Sequence, residues 1–186
     1  MRKPFVIAIS IALLLSLAAC GKTVSEAVML PVTGIAGAWF TEELPEDSAG
    51  SADVLRVGRT YDGKDIFSLV RVPVPEGTRA IEAWLSLKIL ENNGASALLA
   101  GALTGPWEGD ITREGALALA GDLQPARQAL TMDGRVRIDV TAHVKAWLDG
   151  TGNHGLILFE ANDSTESVFV LQDGEDEPRL EIIVHK

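Results

Sequence analysis

The sequence is poor in the residues that build disulfides, metal clusters and catalytic triads. It has one cysteine, Cys20, among 186 residues, which excludes a disulfide framework and a zinc cluster made of cysteines. It has three histidines, His143, His154 and His185, and no G-x-S-x-G, HExxH, EF-hand or phosphate-loop motif. We therefore expect no enzymatic activity, and solvated or local capping roles for His143 and His154 in preference to catalysis.

Positive charge is also scarce. The chain has 16 Lys and Arg against 26 Asp and Glu, a formal net charge of −10. Such a surface repels phosphate backbones, so we expect no nucleic-acid partner. The hydrophobic content of 47% is high enough for a full core, and the length suits one domain.

No apolar run is long enough to span a bilayer comfortably. The run nearest the amino terminus covers residues 5–17, and it follows the basic residues Arg2 and Lys3. A positive segment, a short apolar segment and then small residues are typical of a signal peptide. We expect residues 1–19 to be such a peptide, with its apolar part forming a signal helix.

The residues that close this peptide, Leu-Ala-Ala-Cys-Gly, resemble the lipobox of bacterial lipoproteins. The resemblance implies cleavage before Cys20, a diacylglyceryl group on its sulfur and acylation of the new amino terminus, for example with palmitate. Several acyl chains give stable membrane anchoring, whereas one chain gives only reversible binding. An ordinary signal peptide with an incidental cysteine is the alternative. We expect residues 20–35 to be a lipidated tether and residues 36–186 the domain.

The clearest strand covers residues 81–89. Alternation places five apolar side chains on one face and four others, including a tryptophan, on the opposite face. The inner face holds Ile81, Ala83, Leu85, Leu87 and Ile89, and the outer face holds Glu82, Trp84, Ser86 and Lys88.

A strand, a helix and a second strand follow one another over residues 136–158. Apolar residues first alternate, which predicts a half-buried strand. Val144, Trp147 and Leu148 then share one helical face, with Thr141 as a candidate N-cap. We expect one short helix, about Thr141 to Asp149, with Trp147 as its buried anchor, because a helix of two turns depends on packing.

Further short strands are separated by turn signals about every ten residues. We expect strands near residues 37–40, 54–57, 66–72, 97–103, 155–160, 166–172 and 179–185. The segment 115–123 fits a strand or a helical turn, and both interpretations stay open. This pattern predicts an all-β protein, an antiparallel β-sandwich of jelly-roll type.

In order and spacing, the motifs across residues 52–184 resemble the DNRLRE domain, which is related to disaggregatase repeats and to carbohydrate-binding module family 96. The matching residues are Ser68 to Val72, Pro75-Glu76-Gly77-Thr78, Ile81 to Leu87, Trp107-Glu108, Ile111-Thr112, Ile138-Asp139-Val140-Thr141, Val144, Trp147-Leu148-Asp149-Gly150, Gly155-Leu156-Ile157-Leu158 and Pro178-Arg179-Leu180. The family usually has Phe where Val72 stands and often an aromatic residue where Arg113 stands. The resemblance implies a β-sandwich. Family members lie beside enzymes in large surface proteins or bind polysaccharides such as alginate.

The candidate ligand site is the outer face of the strand over residues 81–89. Trp84 could stack on a sugar ring, while Glu82 and Lys88 supply hydrogen-bonding groups. The alternative, which we favour, is that the chain's own segment near Trp39 and Phe40 covers Trp84.

The candidate metal site is an acidic loop that contains Asp173, Glu175 and Asp176. Oxygen ligands in a flexible loop suit calcium, the one cofactor that we consider. A solvated turn is the favoured interpretation. A glycosidase would need two carboxylates across a cleft, which one loop does not supply.

Together these patterns predict a lipoprotein anchored at the extracytoplasmic face of the bacterial cell envelope. We expect a non-catalytic, carbohydrate-binding module for cell-surface or extracellular polysaccharide. The alternative is a structural or protein-docking module of the envelope without a sugar ligand.

Overall fold

The computed structural model describes residues 25–31, 37–42, 53–92, 97–108, 110–161, 166–171 and 176–185. The strands within these residues are β1 Ser25–Pro31, β2 Gly37–Thr41, β3 Val54–Arg59, β4 Asp65–Val70, β5 Ala80–Asn92, β6 Leu98–Ala102, β7 Gln124–Pro125, β8 Gln128–Leu130, β9 Arg135–Asp139, β10 Leu156–Glu160, β11 Ser167–Val170 and β12 Arg179–His185. The helices are α1 Arg113–Ala118 and α2 Thr141–Leu148.

The strands form one curled antiparallel sheet that folds into two layers. The first layer has the order β1-β12-β5-β9-β8, and the second has the order β2-β4-β10-β6-β7. Strands β3 and β11 join the layers, because β3 pairs with both β4 and β11 while β11 pairs with β5. The predicted all-β sandwich is confirmed.

The main core lies between the two layers. Each layer contributes alternate side chains, as the period of two requires. The largest buried members include Leu55, Leu85, Leu87, Ile138, Leu156, Leu158, Phe169, Leu180 and Ile182. Helix α2 closes this core with Val144 and Trp147, so the predicted helical face and the buried Trp147 anchor are confirmed.

A second apolar cluster covers the outer face of the second layer. Phe40, Phe67 and Ile157 project from its strands and pack with Trp107 and Ala116. Strands β4 and β10 are therefore buried on both faces, which explains their nearly continuous apolar sequences.

Helix α1 settles the interpretation of residues 115–123 that the sequence left open. Gly115 donates its backbone N–H to Thr112 Oγ1 at 3.0 Å, so Thr112 caps the helix. Ala116 is fully buried against the second layer. The segment forms the end of a short helix and then a coil, and the predicted count of one helix is corrected to two within the described residues.

The predicted tether is wrong for part of its length. Residues 25–31 form strand β1, which pairs with β12 from Ser25 opposite His185 to Pro31 opposite Arg179. Cys20 and the predicted signal helix lie outside the described residues.

The pairings give the sandwich two distinct ends. Three strands begin at the same end of the sandwich, which we call the lower end: β1, β5 and β10. Three others finish there: β4, β9 and β12. Residues 71–79, helix α2 and residues 149–155 connect strands there. The β3–β4 turn, residues 60–64, lies at the opposite, upper end.

Candidate functional site

Trp84 lies on the outer face of the first layer, as the strand phase predicted. Its neighbours Ala83 and Leu85 are in the main core, and Trp84 stands between Asp139 of β9 and Glu181 of β12. Only 7% of its surface is exposed. Trp84 is therefore covered, even though it points away from the core.

Two guanidinium groups cover the indole. Arg127 Cζ lies 4.5 Å and Arg137 Cζ 4.8 Å from the ring centroid, distances at which a cation is attracted by the π-system. The indole Nε1 donates to Glu82 Oε2 at 3.2 Å. The sequence correctly favoured coverage and correctly placed Glu82 beside the ring.

The predicted cover was wrong in its identity. Trp39 lies on β2, opposite Ser68 of β4 in the second layer. Arg56 Cζ lies 4.6 Å from the centroid of its ring. Phe40 is buried in the second cluster, where its ring stacks on Phe67. The alternation rule fixed the face of Trp84, but the covering residues come from β9, which pairs with β5, and from the segment before β8, which bonds to the end of β9.

The two covering arginines are held differently. Arg137 forms an ion pair with Glu181, and its side chain is 28% exposed. Arg127 pairs with Asp139 at 3.1 Å and with Glu82 at 3.9 Å, and its side chain is 60% exposed. Exposed ion pairs contribute about 0–1 kcal/mol, so Arg127 is the more easily displaced of the two.

Lys88 is not part of the surroundings of Trp84. It lies two same-face positions further along β5, where its Nζ donates to the Asp133 carbonyl at 2.7 Å. Its nearest carboxylate is Asp176, at 3.7 Å. The structure therefore brings together Trp84 and Glu82 but leaves the third predicted ligand residue near the upper end.

The acidic loop is only partly described. Asp173 and Glu175 lie outside the described residues, while Asp176 lies 3.7 Å from both Lys88 Nζ and Arg135 Nη2. These cations compete with a metal ion for the carboxylate. Among the described residues, no group of three or more His, Cys, Asp or Glu side chains is arranged to hold a metal. The calcium site stays a prediction.

A cleft runs beside helix α2, and we call it the helix groove. It encloses about 540 Å³, within the range of about 300–1,000 Å³ that is common for ligand clefts. Ala100, Pro125 and Ala126 are among its apolar lining residues. Its polar lining residues are Gln124, Arg127, Asp139, Thr141, His143 and Lys145.

The start of α2 fixes this groove to strand β5. The Thr141 N–H donates to Asp139 Oδ1 at 3.0 Å, and the Thr141 hydroxyl accepts the N–H of Ala83 at 2.9 Å. Asp139 thus supports the first turn, and the predicted N-cap role of Thr141 is replaced by a link between the helix and the sheet. Burial opposes ionisation of Asp139, but hydrogen bonds from Thr141 and the charge of Arg127 hold its pKa below the usual value.

His143 faces the groove from the first turn of α2. Burial lowers its pKa, and the Ala100 carbonyl only partly offsets that effect. The imidazole is therefore neutral at pH 7, with one nitrogen that donates and one that accepts a hydrogen bond. Arg127 and Lys145 add cationic donors, so the groove can bind hydroxyl groups and anionic oxygens.

A second cleft flanks the same helix at the lower end, and we call it the end groove. It encloses about 600 Å³ and is lined by residues 77–80, Lys145, Leu148 and Asp149. Lys145 lines both grooves. Sequence reasoning missed both, because their walls come from segments that are far apart in the chain.

Trp107, one of the motif residues, packs inside the protein. Its ring is 3% exposed in the second cluster, and its Nε1 donates to the His154 carbonyl at 3.1 Å. Arg71 lies 5.1 Å from the ring centroid and donates to the Trp107 carbonyl. Trp107 therefore offers no free stacking surface.

No helix among the described residues is both long and apolar enough to cross a bilayer. Comparison with known proteins finds neither a matching protein-family model nor a similar curated protein. The resemblance to the DNRLRE domain accordingly depends on the motifs and their order along the chain.

Proposed function

We propose that the protein is a lipoprotein of the bacterial cell envelope and a non-catalytic module that binds cell-surface or extracellular polysaccharide. We further propose that its sandwich is a DNRLRE-like domain. One observation carries the binding proposal: an open groove lined by both apolar and hydrogen-bonding side chains lies beside α2.

The chemistry of the helix groove suits a sugar. A sugar ring has apolar C–H faces that can pack on Pro125 and Ala126, and its hydroxyl groups can pair with Arg127, His143 and their neighbours. The neutral His143 imidazole donates its N–H to the Ala100 carbonyl, so its other nitrogen can accept a hydrogen bond from a sugar hydroxyl. The groove is open to solvent, so we expect modest affinity at a single site.

The anchor is carried by the lipobox-like residues that end at Cys20. We expect Cys20→Ser to abolish incorporation of labelled palmitate in the producing bacterium. Label that persists, or a mature amino terminus at another residue, would exclude the proposed anchor.

A glycan array tests the binding proposal. The chain that begins at Gly21 contains every described residue and lacks the lipid. We expect it to retain at least one polysaccharide, and Arg127→Gln to weaken retention about fivefold to tenfold, which corresponds to about 1–1.4 kcal/mol, the value of one typical hydrogen bond.

Arg59→Gln is the matched control. Arg59 is an exposed arginine that pairs with Asp65 at 2.8 Å near the upper end, so its replacement should leave retention unchanged. Equal effects of the two substitutions would place the ligand outside the helix groove. No retained glycan would exclude polysaccharide binding.

The covered state of Trp84 favours a second candidate, a structural or protein-docking module without a sugar ligand. The residue that sequence reasoning offered as a stacking platform is sealed by the chain's own arginines. Crosslinking of the anchored protein in cells separates the two candidates: specific protein adducts together with an empty glycan array would support docking.

A further inference from the structure

The pairing of β1 determines which end of the sandwich is near the lipid anchor. Ser25 lies opposite His185, and the adjacent Val184 lies opposite Ala80, the first residue of β5. Ser25 is therefore at the lower end, beside the residues that lead into the end groove.

The connection between the proposed anchor and this end is short. Cys20 and Ser25 are five residues apart, and an extended chain spans at most about 3.3–3.6 Å per residue, or about 17 Å here. Strand β5 has 13 residues, which at about 3.3 Å each gives a length of about 43 Å. The upper end therefore cannot be the end that faces the membrane.

Helix α2, which borders both grooves, lies at the end that is near the membrane, and the end groove lies beside it. Helix α2 follows the lower end of β9, and Lys145 of that helix lines both clefts. A polymer free in solution must enter the narrow space under the domain to reach the end groove and the neighbouring part of α2. A glycan attached to the same membrane is already in that space.

We propose that the lower end faces the membrane and that the grooves around α2 bind the head group of a glycolipid in that same membrane. The inference rests on the lipid anchor and the sugar binding of the proposed function. Two partners held in one surface meet at an effective concentration in the millimolar range. Such a concentration compensates for the modest affinity of an open groove with exposed polar side chains.

Thiol labelling tests the orientation without any ligand. Cys20 is the only cysteine, and its lipidated sulfur cannot react, so an introduced cysteine is the single thiol. The full-length lipidated protein is placed in phosphatidylcholine vesicles as Arg79→Cys, beside the end groove, or as Tyr61→Cys, fully exposed in the turn at the upper end. The probe is a maleimide on a bulky polyethylene glycol.

On vesicles we expect the upper thiol to be labelled several times faster than the lower one. The ratio should approach that of the detergent-solubilised protein when a long Gly/Ser segment is inserted after Gly21, because the domain can then leave the surface. The same ratio in vesicles, in detergent and with the long segment would overturn the orientation.

The ligand is tested with the polysaccharide that the array retains, either free or coupled to a lipid and added to the vesicles. We expect the anchored wild-type protein to bind the lipid-linked form and to capture the free form about tenfold less well than the long-segment variant, a difference set by access and effective concentration. Equal capture of free polysaccharide by the two proteins would overturn the inference about the ligand. If the array retains no glycan, both the proposed polysaccharide binding and the glycolipid ligand are excluded. The ratio of the two thiol-labelling rates would still decide which end faces the membrane.

Discussion

Trp147 and Trp84 are equally covered, with 7% of each surface exposed, but by different means. Trp147 projects from α2 into the main core with Val144. Trp84 projects away from that core and lies under the guanidinium groups of Arg127 and Arg137. Equal exposure therefore conceals two different kinds of stabilisation.

The difference has an energetic consequence. An indole removed from an apolar core leaves a cavity that neighbouring side chains fill only in part. An indole removed from beneath arginines leaves polar groups that water can reach. The free energy of unfolding should therefore depend more on Trp147 than on Trp84.

The largest expected effect is that of Trp147→Ala. We expect a loss of about 3–5 kcal/mol in the free energy of unfolding, because an apolar cavity forms where α2 meets the core. Urea denaturation measures this loss, and Trp147→Phe should retain much of the stability. A melt equal to that of the wild type would mean that α2 is not held by its tryptophan.

Trp84→Ala should have a smaller effect. The substitution removes two cation–π contacts, and each contributes about 0.5–2 kcal/mol to stability. We expect a total loss of about 1–3 kcal/mol in the free energy of unfolding. The same urea titration gives the value. A loss as large as that of Trp147→Ala would show that the two sites are energetically alike, contrary to the comparison.

The two arginines should differ from each other as well. Arg137→Met and Arg127→Met keep an apolar stem over the indole but remove the charge. We expect Arg137→Met to cost about 1 kcal/mol, and Arg127→Met less than about 0.5 kcal/mol because its ion pairs are exposed. Double-mutant cycles with Trp84→Phe measure the coupling energy between each arginine and the indole. A larger coupling energy for Arg127 than for Arg137 would mean that Arg137 is the more easily displaced arginine.

The smallest expected effect is a dependence on pH near Trp147. The ring centroids of His143 and Trp147 are 6.3 Å apart, and burial lowers the pKa of His143. The unfolded chain therefore takes up this proton first, so stability falls as the pH drops below the ordinary value of about 6.5. Above that value the contribution is fully present.

Replacement of the titrating group isolates this effect. His143→Gln should reduce the slope of stability against pH below about 6.5, a slope that cannot exceed about 1.4 kcal/mol per unit for one proton. The two arginines over Trp84 should not make the stability depend on pH in this range, because arginine does not titrate there. A slope unchanged by His143→Gln would show that His143 titrates as it does in the unfolded chain.

Local periodicity was enough to predict which way the two tryptophan side chains point. The period of two over residues 81–89 placed Trp84 on the outer face, and the helical spacing placed Val144 and Trp147 in the core. Each of these inferences needs only residues that are close in the sequence. The same holds for Glu82, which is two residues from Trp84 and bonds to its indole.

The rest required the folded sheet. Arg137 reaches Trp84 because β9 lies beside β5, and Arg127 reaches it from the segment before β8, which bonds to Asp139 at the end of β9. Strand β1 has a partner about 150 residues away along the chain, and the helix groove has walls from β6, β7 and α2. No local pattern contains these pairings, so the sequence missed the covering residues, the first strand and both grooves.

The most direct test of the account is a map of where a glycan contacts the chain. An amide NMR titration of the chain that begins at Gly21, with the polysaccharide that the array retains, gives this map residue by residue. We predict shift changes that cluster on Arg127, His143, Lys145 and their neighbours around α2. Changes confined to the upper end, for example around residues 60–64, would contradict the proposed binding site.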